Sequence, residues 1–252
     1  MIILLCIRLP IIKMDMGRLK FDFLLNFIYN KRKYKGKEKK MSFEILKRTL
    51  ENHFLNKQIE EYHKDGRINS IMNEKMICEE VKKVIECSFP QAKINIDVPE
   101  RYWYDMSIII NNKFYPINIK ITSGKSADNV SSKAGMMYAL TGINKDIVNI
   151  PNTWEKFNKM LISNLKPGEY DYYFIIYFKD DNKFLFTSLK RLEKIIPNGN
   201  NLPFQCKWRE NFNSTTRTEE EQIDYIMETF YNSFIKKTSG LRELIEWSET
   251  RK

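Results

Sequence analysis

After position 41, two segments carry apolar residues three or four positions apart, the spacing of one face of an α-helix. The first begins after Ser42, a suitable N-cap residue, and ends at Asp65-Gly66. The second runs over about 70–87 and ends before Pro90. The pattern therefore predicts two consecutive amphipathic helices.

The pattern then changes to a period of two. Two runs rich in β-branched and aromatic residues, 104–110 and 114–121, flank Asn111-Asn112. Such a pair is typical of a tight two-residue hairpin turn. These features predict a β-hairpin in which residue 105 lies opposite residue 118.

The rest of the chain alternates between helical and extended patterns. Further helices are predicted at about 133–142, 154–165, 188–195 and 219–247. Further strands are predicted at about 170–179, 183–187 and 204–209. Because helices and strands are mixed and the sequence has no internal repeat, we predict an α/β fold with a mixed central β-sheet flanked by helices.

The positive charge of the chain is concentrated at its start. Lys and Arg exceed Asp and Glu by 10 over the whole sequence, and 8 of these 10 charges lie in residues 1–40. We therefore divide the chain into a basic N-terminal extension, 1–40, and a single domain, 41–252. The extension has three interpretations: a nucleic-acid-binding arm, a disordered basic tail, and a translation start assigned upstream of the natural one.

Several chemistries have no support in the sequence. The four Cys form no CxxC pair and only two His accompany them, which argues against a zinc finger. No P-loop, GxGxxG or GxSxG motif offers a nucleotide site or a serine nucleophile. The apolar run at 1–12 is broken by Arg8 and Pro10 and is too short to span a membrane. We expect a cytoplasmic protein with reduced thiols and no membrane partner.

Three polar residues of the predicted hairpin share one face. Side chains alternate along a strand, so Asn118 and Lys120 point to one side of the sheet and their isoleucine neighbours to the other. The predicted register places Asp105 opposite Asn118, with Cβ atoms about 4.5–5.5 Å apart. An Asp and an Asn at this separation can hold one small cation between them.

These residue types suit metal-assisted hydrolysis of a phosphodiester. Mg²⁺ prefers oxygen ligands, which the Asp105 carboxylate, the Asn118 side-chain carbonyl and the Ile119 backbone carbonyl can supply. Lys120 would orient the attacking water and stabilise the charge that develops on the phosphate oxygens. Glu74 lies near the apolar stripe of the second helix, so it can face inward, either as a ligand of a second metal ion or as a carboxylate that supports the metal ligands. On spacing alone, an ordinary exposed hairpin edge explains the same residues.

The hairpin and the loop after it resemble the active-site hairpin of the PD-(D/E)xK nucleases, in particular type II restriction endonucleases. The resemblance lies in the stretch YDMSIIINNKFYPINIKITSGKSADN, residues 104–129. In that family a lone Asp ends one strand and (D/E)xK lies on the next, and Asp105 and Lys120 match these catalytic positions. Tyr104 stands where Pro is usual, and Asn118 replaces the acidic residue, which removes one negative metal ligand. A minority of restriction enzymes carry NxK and are active.

The resemblance implies a restriction-endonuclease-like fold, and it extends more loosely over residues 67–250. It implies a type II restriction endonuclease that uses Mg²⁺ to hydrolyse both strands of double-stranded DNA at a short palindromic site. It also implies a homodimer, whose interface we place on the apolar residues of the first helix, 46–62, and a cognate DNA methyltransferase as genetic partner. Two alternatives stay open: a repair or mobile-element nuclease of the same fold, and a catalytically inactive DNA-binding protein.

Two polar loops are candidates for DNA contact. The first follows the catalytic strand and can reach phosphates and base edges near the scissile bond; its candidates are Lys125, Asn129, Ser131, Ser132 and Lys133. The second offers Arg and Asn side chains, which suit bidentate contacts with bases; its candidates are Arg209, Asn211, Asn213 and Arg217. Both loops are equally compatible with ordinary protein surface.

Overall fold

The computed structural model describes residues 42–55, 66–130 and 132–251, without the side chains of 66–71 and 240. The predicted N-terminal extension, the end of the first predicted helix and Ser131 lie outside the described residues. In chain order, the helices are α1 (Phe43–Phe54), α2 (Gly66–Ser88), α3 (Lys133–Thr141), α4 (Trp154–Asn164) and α5 (Glu219–Glu249). The strands are β1 (Lys93–Asn95), β2 (Met106–Ile110), β3 (Lys113–Thr122), β4 (Asp128–Asn129), β5 (Tyr173–Phe178), β6 (Lys183–Ser188), β7 (Ile196–Pro197) and β8 (Phe204–Cys206).

Five strands form the central sheet in the order β1-β2-β3-β5-β6. β3 and β5 are parallel, and the other neighbouring pairs are antiparallel. All residues of β5 are buried, because helices cover both faces of the sheet. The predicted mixed sheet flanked by helices is therefore confirmed.

The predicted hairpin consists of β2 and β3. Met106 pairs with Ile117, which is the predicted register. Asn111 and Asn112 have φ angles of 51° and 59°, the left-handed conformation that a two-residue turn with the twist of a hairpin requires. The turn chemistry therefore fixes which residues of the two strands face each other.

The helices α1 and α2 cover one face of the sheet. The Ser42 side chain caps α1 by accepting a hydrogen bond from Ile45 N. The apolar stripe of α1 is buried against the sheet, and its members are Phe43, Leu46, Leu50 and Phe54. Because this stripe belongs to the core, the prediction that apolar residues of the first helix form a dimer interface is wrong for residues 46–54, the part that the structure describes.

The helices α3, α4 and the first half of α5 cover the opposite face. A capping box starts α5, in which Thr218 and Glu221 each bond the other's backbone N–H. Ile226 and Phe230 of α5 are buried in the core on this face. Past position 234, every described side chain of α5 is exposed. None of the described helices is long and apolar enough to cross a membrane.

The predicted helix at 188–195 is a single 3₁₀ turn, Leu189–Arg191. The backbone N–H groups of Lys194 and Ile195 would continue a helix by bonding the preceding turn. Instead they donate to the side chains of Asn211 and Tyr225, at 2.9 and 3.0 Å. Tertiary contacts therefore override the local helical pattern here.

The predicted strand at 204–209 is shorter than expected. It ends with β8 at Cys206, and a 3₁₀ turn, Trp208–Asn211, follows. β8 lies between β4 and β7 in a second, three-stranded sheet that the sequence pattern did not predict. This small sheet joins the loop after β3 to the segment before α5.

Candidate active site

Asp105 lies immediately before β2. β3 extends past this point, and its residues after Ile117 have no partner in β2. Its backbone N–H donates to Ile117 O at 2.9 Å, which extends the β2–β3 ladder by one bond. Its side chain occupies the next position of the ladder, because Oδ2 accepts a hydrogen bond from Ile119 N at 2.6 Å. The carboxylate is therefore fixed beside β3.

Asn118 is the neighbour of Asp105, as the hairpin register predicts. Its Nδ2 donates to Asp105 Oδ2 at 2.8 Å. Its carbonyl oxygen, Oδ1, is buried and has no hydrogen-bond partner among the described residues. Such an unpaired atom costs about 1–3 kcal/mol. Half a turn of the amide would bring Oδ1 towards the Asp105 carboxylate, which is favourable only with a cation between the oxygens. The pair therefore fits a metal ion.

β3 brings two further groups to Asp105 and Asn118, the Ile119 carbonyl and the Lys120 amine. The N–H and C=O of one strand residue point to the same side, so the Ile119 carbonyl lies on the side of Asp105, and no described residue donates a hydrogen bond to it. Lys120 is partly buried on the Asn118 face, and its side-chain amine makes no hydrogen bond or ion pair within the described ranges. Four residues therefore come together at the start of β2: Asp105, Asn118, Ile119 and Lys120.

The charged form of the Asp105 carboxylate destabilises the folded protein. Burial raises the pKa of Asp105 above its ordinary value of 3.8, against the opposing effects of the Ile119 hydrogen bond and the charge of Lys120. The folded state therefore binds this proton more tightly than the unfolded state, so stability falls as pH rises from 3.8 through the raised pKa. A bound cation would relieve this unfavourable charge.

We expect Asp105→Asn to raise the free energy of unfolding of the metal-free protein at neutral pH, by roughly 1 kcal/mol. The amide carries no charge, and its oxygen can still accept the hydrogen bond from Ile119 N. Chemical denaturation in EDTA measures the difference, which should vanish below the ordinary Asp pKa. Asp181→Asn is the control and should lower the free energy of unfolding, because the hydrogen bond from Arg209 stabilises the charged form of Asp181 and lowers its pKa. Equal stability of Asp105→Asn and wild type at neutral pH would contradict the expectation.

The helix α2 brings a second carboxylate towards this site. Burial, together with the charges of Asp105, Glu74 and Glu79, raises the pKa of the Cys78 thiol to about 12. Glu74 is partly buried, and its charge and that of Asp105 both act on this thiol. No set of three His, Cys, Asp or Glu side chains in the described part of the chain is placed to hold a metal. A metal at Asp105 would therefore depend on amide, backbone and water oxygens, which suit Mg²⁺.

The two predicted DNA-contact loops lie side by side. β4, in the first loop, pairs with β8, which leads into the second loop; Asp128 faces Cys206. Asn129 Oδ1 also accepts a hydrogen bond from Asn198 Nδ2 at 3.0 Å. The two loops therefore form one surface that begins where the strand carrying Lys120 ends.

Arg209 ties this surface to the end of β3. Its Nε and Nη2 donate to Ser123 O at 3.2 and 3.0 Å, and its Nη1 donates to Asp181 Oδ2 at 2.9 Å. The guanidinium also lies 4.7 Å from the centroid of the Phe178 ring. Arg209 is therefore engaged by the protein and holds the loop after β3 against the β5–β6 turn.

The other predicted contact residues of the second loop differ in exposure. Asn213 is exposed. Asn211 is only 1% exposed, and its amide bonds the backbone of Lys194 and Lys207, so it does not reach the surface. Arg217 donates to Glu193 O at 3.0 Å and covers the Tyr225 ring. Of these three residues, Asn213 is the one that is exposed to solvent.

In the first loop, Lys125 and Asn129 are exposed, and Lys125 forms an ion pair with Asp180 at 2.8 Å. Ser132 caps α3 by accepting a hydrogen bond from Gly135 N at 3.1 Å. Lys133 donates to Asn152 O, and its Nζ lies 4.0 Å from the centroid of the Trp154 ring. Lys125 and Asn129 therefore face solvent, whereas Ser132 and Lys133 stabilise the start of α3.

Sequence reasoning missed one carboxylate near the site. Asp146, in the loop between α3 and α4, accepts hydrogen bonds from the side chains of Tyr102, Trp103 and Tyr104. The available signal was three consecutive aromatic residues, each with a side-chain donor, directly before Asp105.

No protein-family model matches the chain, and no curated protein is significantly similar to it in sequence. The function must therefore be argued from the site itself.

Proposed function

We propose that the protein is a type II restriction endonuclease with a restriction-endonuclease-like fold, which hydrolyses phosphodiester bonds of double-stranded DNA with Mg²⁺. The observation that carries the proposal is the Asn118 amide beside the Asp105 carboxylate: its Oδ1 is buried and unpaired as it stands, and turning the amide would bring it to Asp105. Two neighbouring oxygen groups, one charged and one unsatisfied, support a cation site. The amine of Lys120 on the same strand supports phosphate chemistry next to it.

Each residue has a distinct part in the proposed reaction. Asp105 Oδ1, Asn118 Oδ1 and the Ile119 carbonyl would hold the metal, with Glu74 as a further carboxylate on α2. The metal, when bound, lowers the pKa of a water molecule and acts as a Lewis acid. Lys120 orients the attacking water and neutralises charge on the phosphate oxygens as it develops. Turning the Asn118 amide breaks its hydrogen bond to Asp105, so metal binding and that bond exclude each other.

Positive charge on the proposed DNA surface is local. Residues 41–252 carry only two of the ten net charges, so general electrostatic attraction to DNA is weak. Lys125, Asn129 and Asn213 are exposed on the surface formed by the two loops. We assign phosphate contact to Lys125 and base-edge contact to the two Asn side chains.

Cutting both strands of a palindromic site requires two active sites related by two-fold symmetry, so we propose a homodimer. A cytoplasmic location and a cognate DNA methyltransferase, which would protect the host DNA, belong to the same proposal.

Incubation of supercoiled plasmid with the protein and Mg²⁺ tests this function. A restriction enzyme gives discrete linear fragments, and EDTA abolishes them. A smear without discrete bands would favour a repair or mobile-element nuclease. Stable DNA binding without cleavage would overturn the enzymatic proposal and favour an inactive DNA-binding protein.

We expect Gly124→Ala to weaken DNA binding and to lower the free energy of unfolding by about 2 kcal/mol. Gly124 has a φ of +70°, and a Cβ there would lie 2.8 Å from Phe178 Cε1 and 2.9 Å from Arg209 Cγ. The substitution would therefore displace the loop that Arg209 holds. Gly142→Ala is the matched control: its φ is +75° and its Cβ would lie 2.8 Å from the Tyr170 ring, away from both loops. Filter binding compares the two variants, and equal DNA affinity would refute the proposed surface.

A further inference from the structure

The segment before Asp105 is held at every residue. The side chains of Tyr102, Trp103 and Tyr104 all donate to Asp146, with Trp103 Nε1 at 2.8 Å from Oδ1 and the Tyr104 hydroxyl at 3.2 Å from Oδ2. The hydrogen bond to Asp146 raises the pKa of the Tyr102 hydroxyl. Three consecutive side chains therefore donate hydrogen bonds to one carboxylate.

The backbone of the same segment is fixed from the sheet side. The Tyr172 hydroxyl donates to Trp103 O, and the Trp103 ring stacks on the Tyr172 ring with centroids 6.0 Å apart. The backbone N–H of Asp105, two residues further on, donates to Ile117 O. The path of the chain into Asp105 is therefore determined by two anchors, the Asp146 carboxylate on one side and the sheet on the other.

Asp146 is itself held by its own loop. Its N–H donates to Asn144 Oδ1 at 2.8 Å, and Val148 N donates to Asn144 O at 2.9 Å. The loop connects α3 to α4, which are packed on the sheet. Asp146 is exposed, and these bonds within the loop restrain its backbone.

We propose that Asp146 is a positioning residue for the metal site: it orients the segment 102–104 so that the Asp105 carboxylate stays at the start of β2. The inference rests on the proposed function, because it assumes that Asp105 binds a metal. Asp105's own bonds to Ile117 O and Ile119 N fix it relative to β3. The segment before it is held separately, by Asp146 through its side chains and by the Tyr172 hydroxyl through its backbone.

Binding of Mn²⁺ to the full chain without DNA, followed by EPR, tests the inference. Mn²⁺ shares the preference of Mg²⁺ for oxygen ligands. Asp146→Asn keeps the size of the side chain but removes its charge and one acceptor oxygen. We expect it to weaken Mn²⁺ binding roughly 10-fold, the low end of the effect of losing a group that orients a metal ligand. Tyr104→Phe, which removes one of the three donors, should cause a smaller loss in the same direction.

Tyr225→Phe is the matched control, because it removes the hydrogen bonds of Tyr225 with Ile195, which involve none of the residues 102–105 or Asp146. It should lower stability without changing Mn²⁺ affinity. Unchanged affinity in both Asp146→Asn and Tyr104→Phe would overturn the inference while leaving the proposed function standing. Failure of the wild-type chain to bind Mn²⁺ would instead remove the proposed function, and the inference with it.

Discussion

We expect Lys120→Ala to reduce the rate of DNA cleavage by roughly 10³-fold while Mn²⁺ affinity and DNA affinity stay close to wild type. The loss corresponds to removing one preorganised charge from the transition state of phosphoryl transfer. The Lys120 amine makes no hydrogen bond or ion pair within the described ranges, so its removal breaks no direct contact there, although it removes the charge that favours ionised Asp105. Single-turnover cleavage of a plasmid that the wild type cuts measures the effect.

Lys156→Ala is the control for this experiment. Lys156 is exposed on α4 and belongs to neither candidate loop, so its removal changes the net charge by the same amount without touching the site. Its cleavage rate should equal that of wild type. If Lys120→Ala also cleaves at the wild-type rate, the amine has no part in the chemistry and the proposed active site is wrong.

The hairpin could be predicted because its determinants are local. Alternation of apolar residues and the Asn111-Asn112 turn together fix the register of β2 and β3, and the register places Asp105 beside Asn118. The second sheet could not be predicted in this way. β4, β7 and β8 are two or three residues long, too short for a clear alternation, and β4 pairs with β8 across a large separation in sequence, which a local pattern does not encode.

Side-chain roles in the candidate site were less predictable than backbone positions. Arg209 and Asn211 have residue types that suit base recognition, but the structure uses both to hold loops. Asp146 has an ordinary local sequence, and its partners lie more than forty positions earlier in the chain. Residue type and spacing therefore indicate the chemistry that is possible, whereas only the tertiary contacts show which side chains remain available for it.

We expect Asn118→Asp to destabilise the metal-free protein by about 2 kcal/mol and to bind Mg²⁺ at least about 10-fold more tightly than wild type. The added carboxylate would lie beside Asp105, where Asn118 Nδ2 is now 2.8 Å from Asp105 Oδ2. Two partly buried carboxylates this close repel each other, which raises their pKa values. The destabilisation should therefore be absent below the ordinary Asp pKa of about 3.9 and should appear as pH rises through the raised pKa values.

Thermal unfolding in EDTA and in saturating Mg²⁺ separates these two effects. Asn118→Asp should unfold below wild type in EDTA, and Mg²⁺ should stabilise it by a larger increment than it stabilises wild type. Asn213→Asp adds the same charge at an exposed position and should show neither change. The decisive quantity is the stabilisation of Asn118→Asp by Mg²⁺ relative to that of wild type. A cation bound between the two side chains would be held more tightly by two carboxylates than by one. If Mg²⁺ does not restore the stability that the variant loses in EDTA, Asp105 and residue 118 form a structural hydrogen-bonded pair and no metal site.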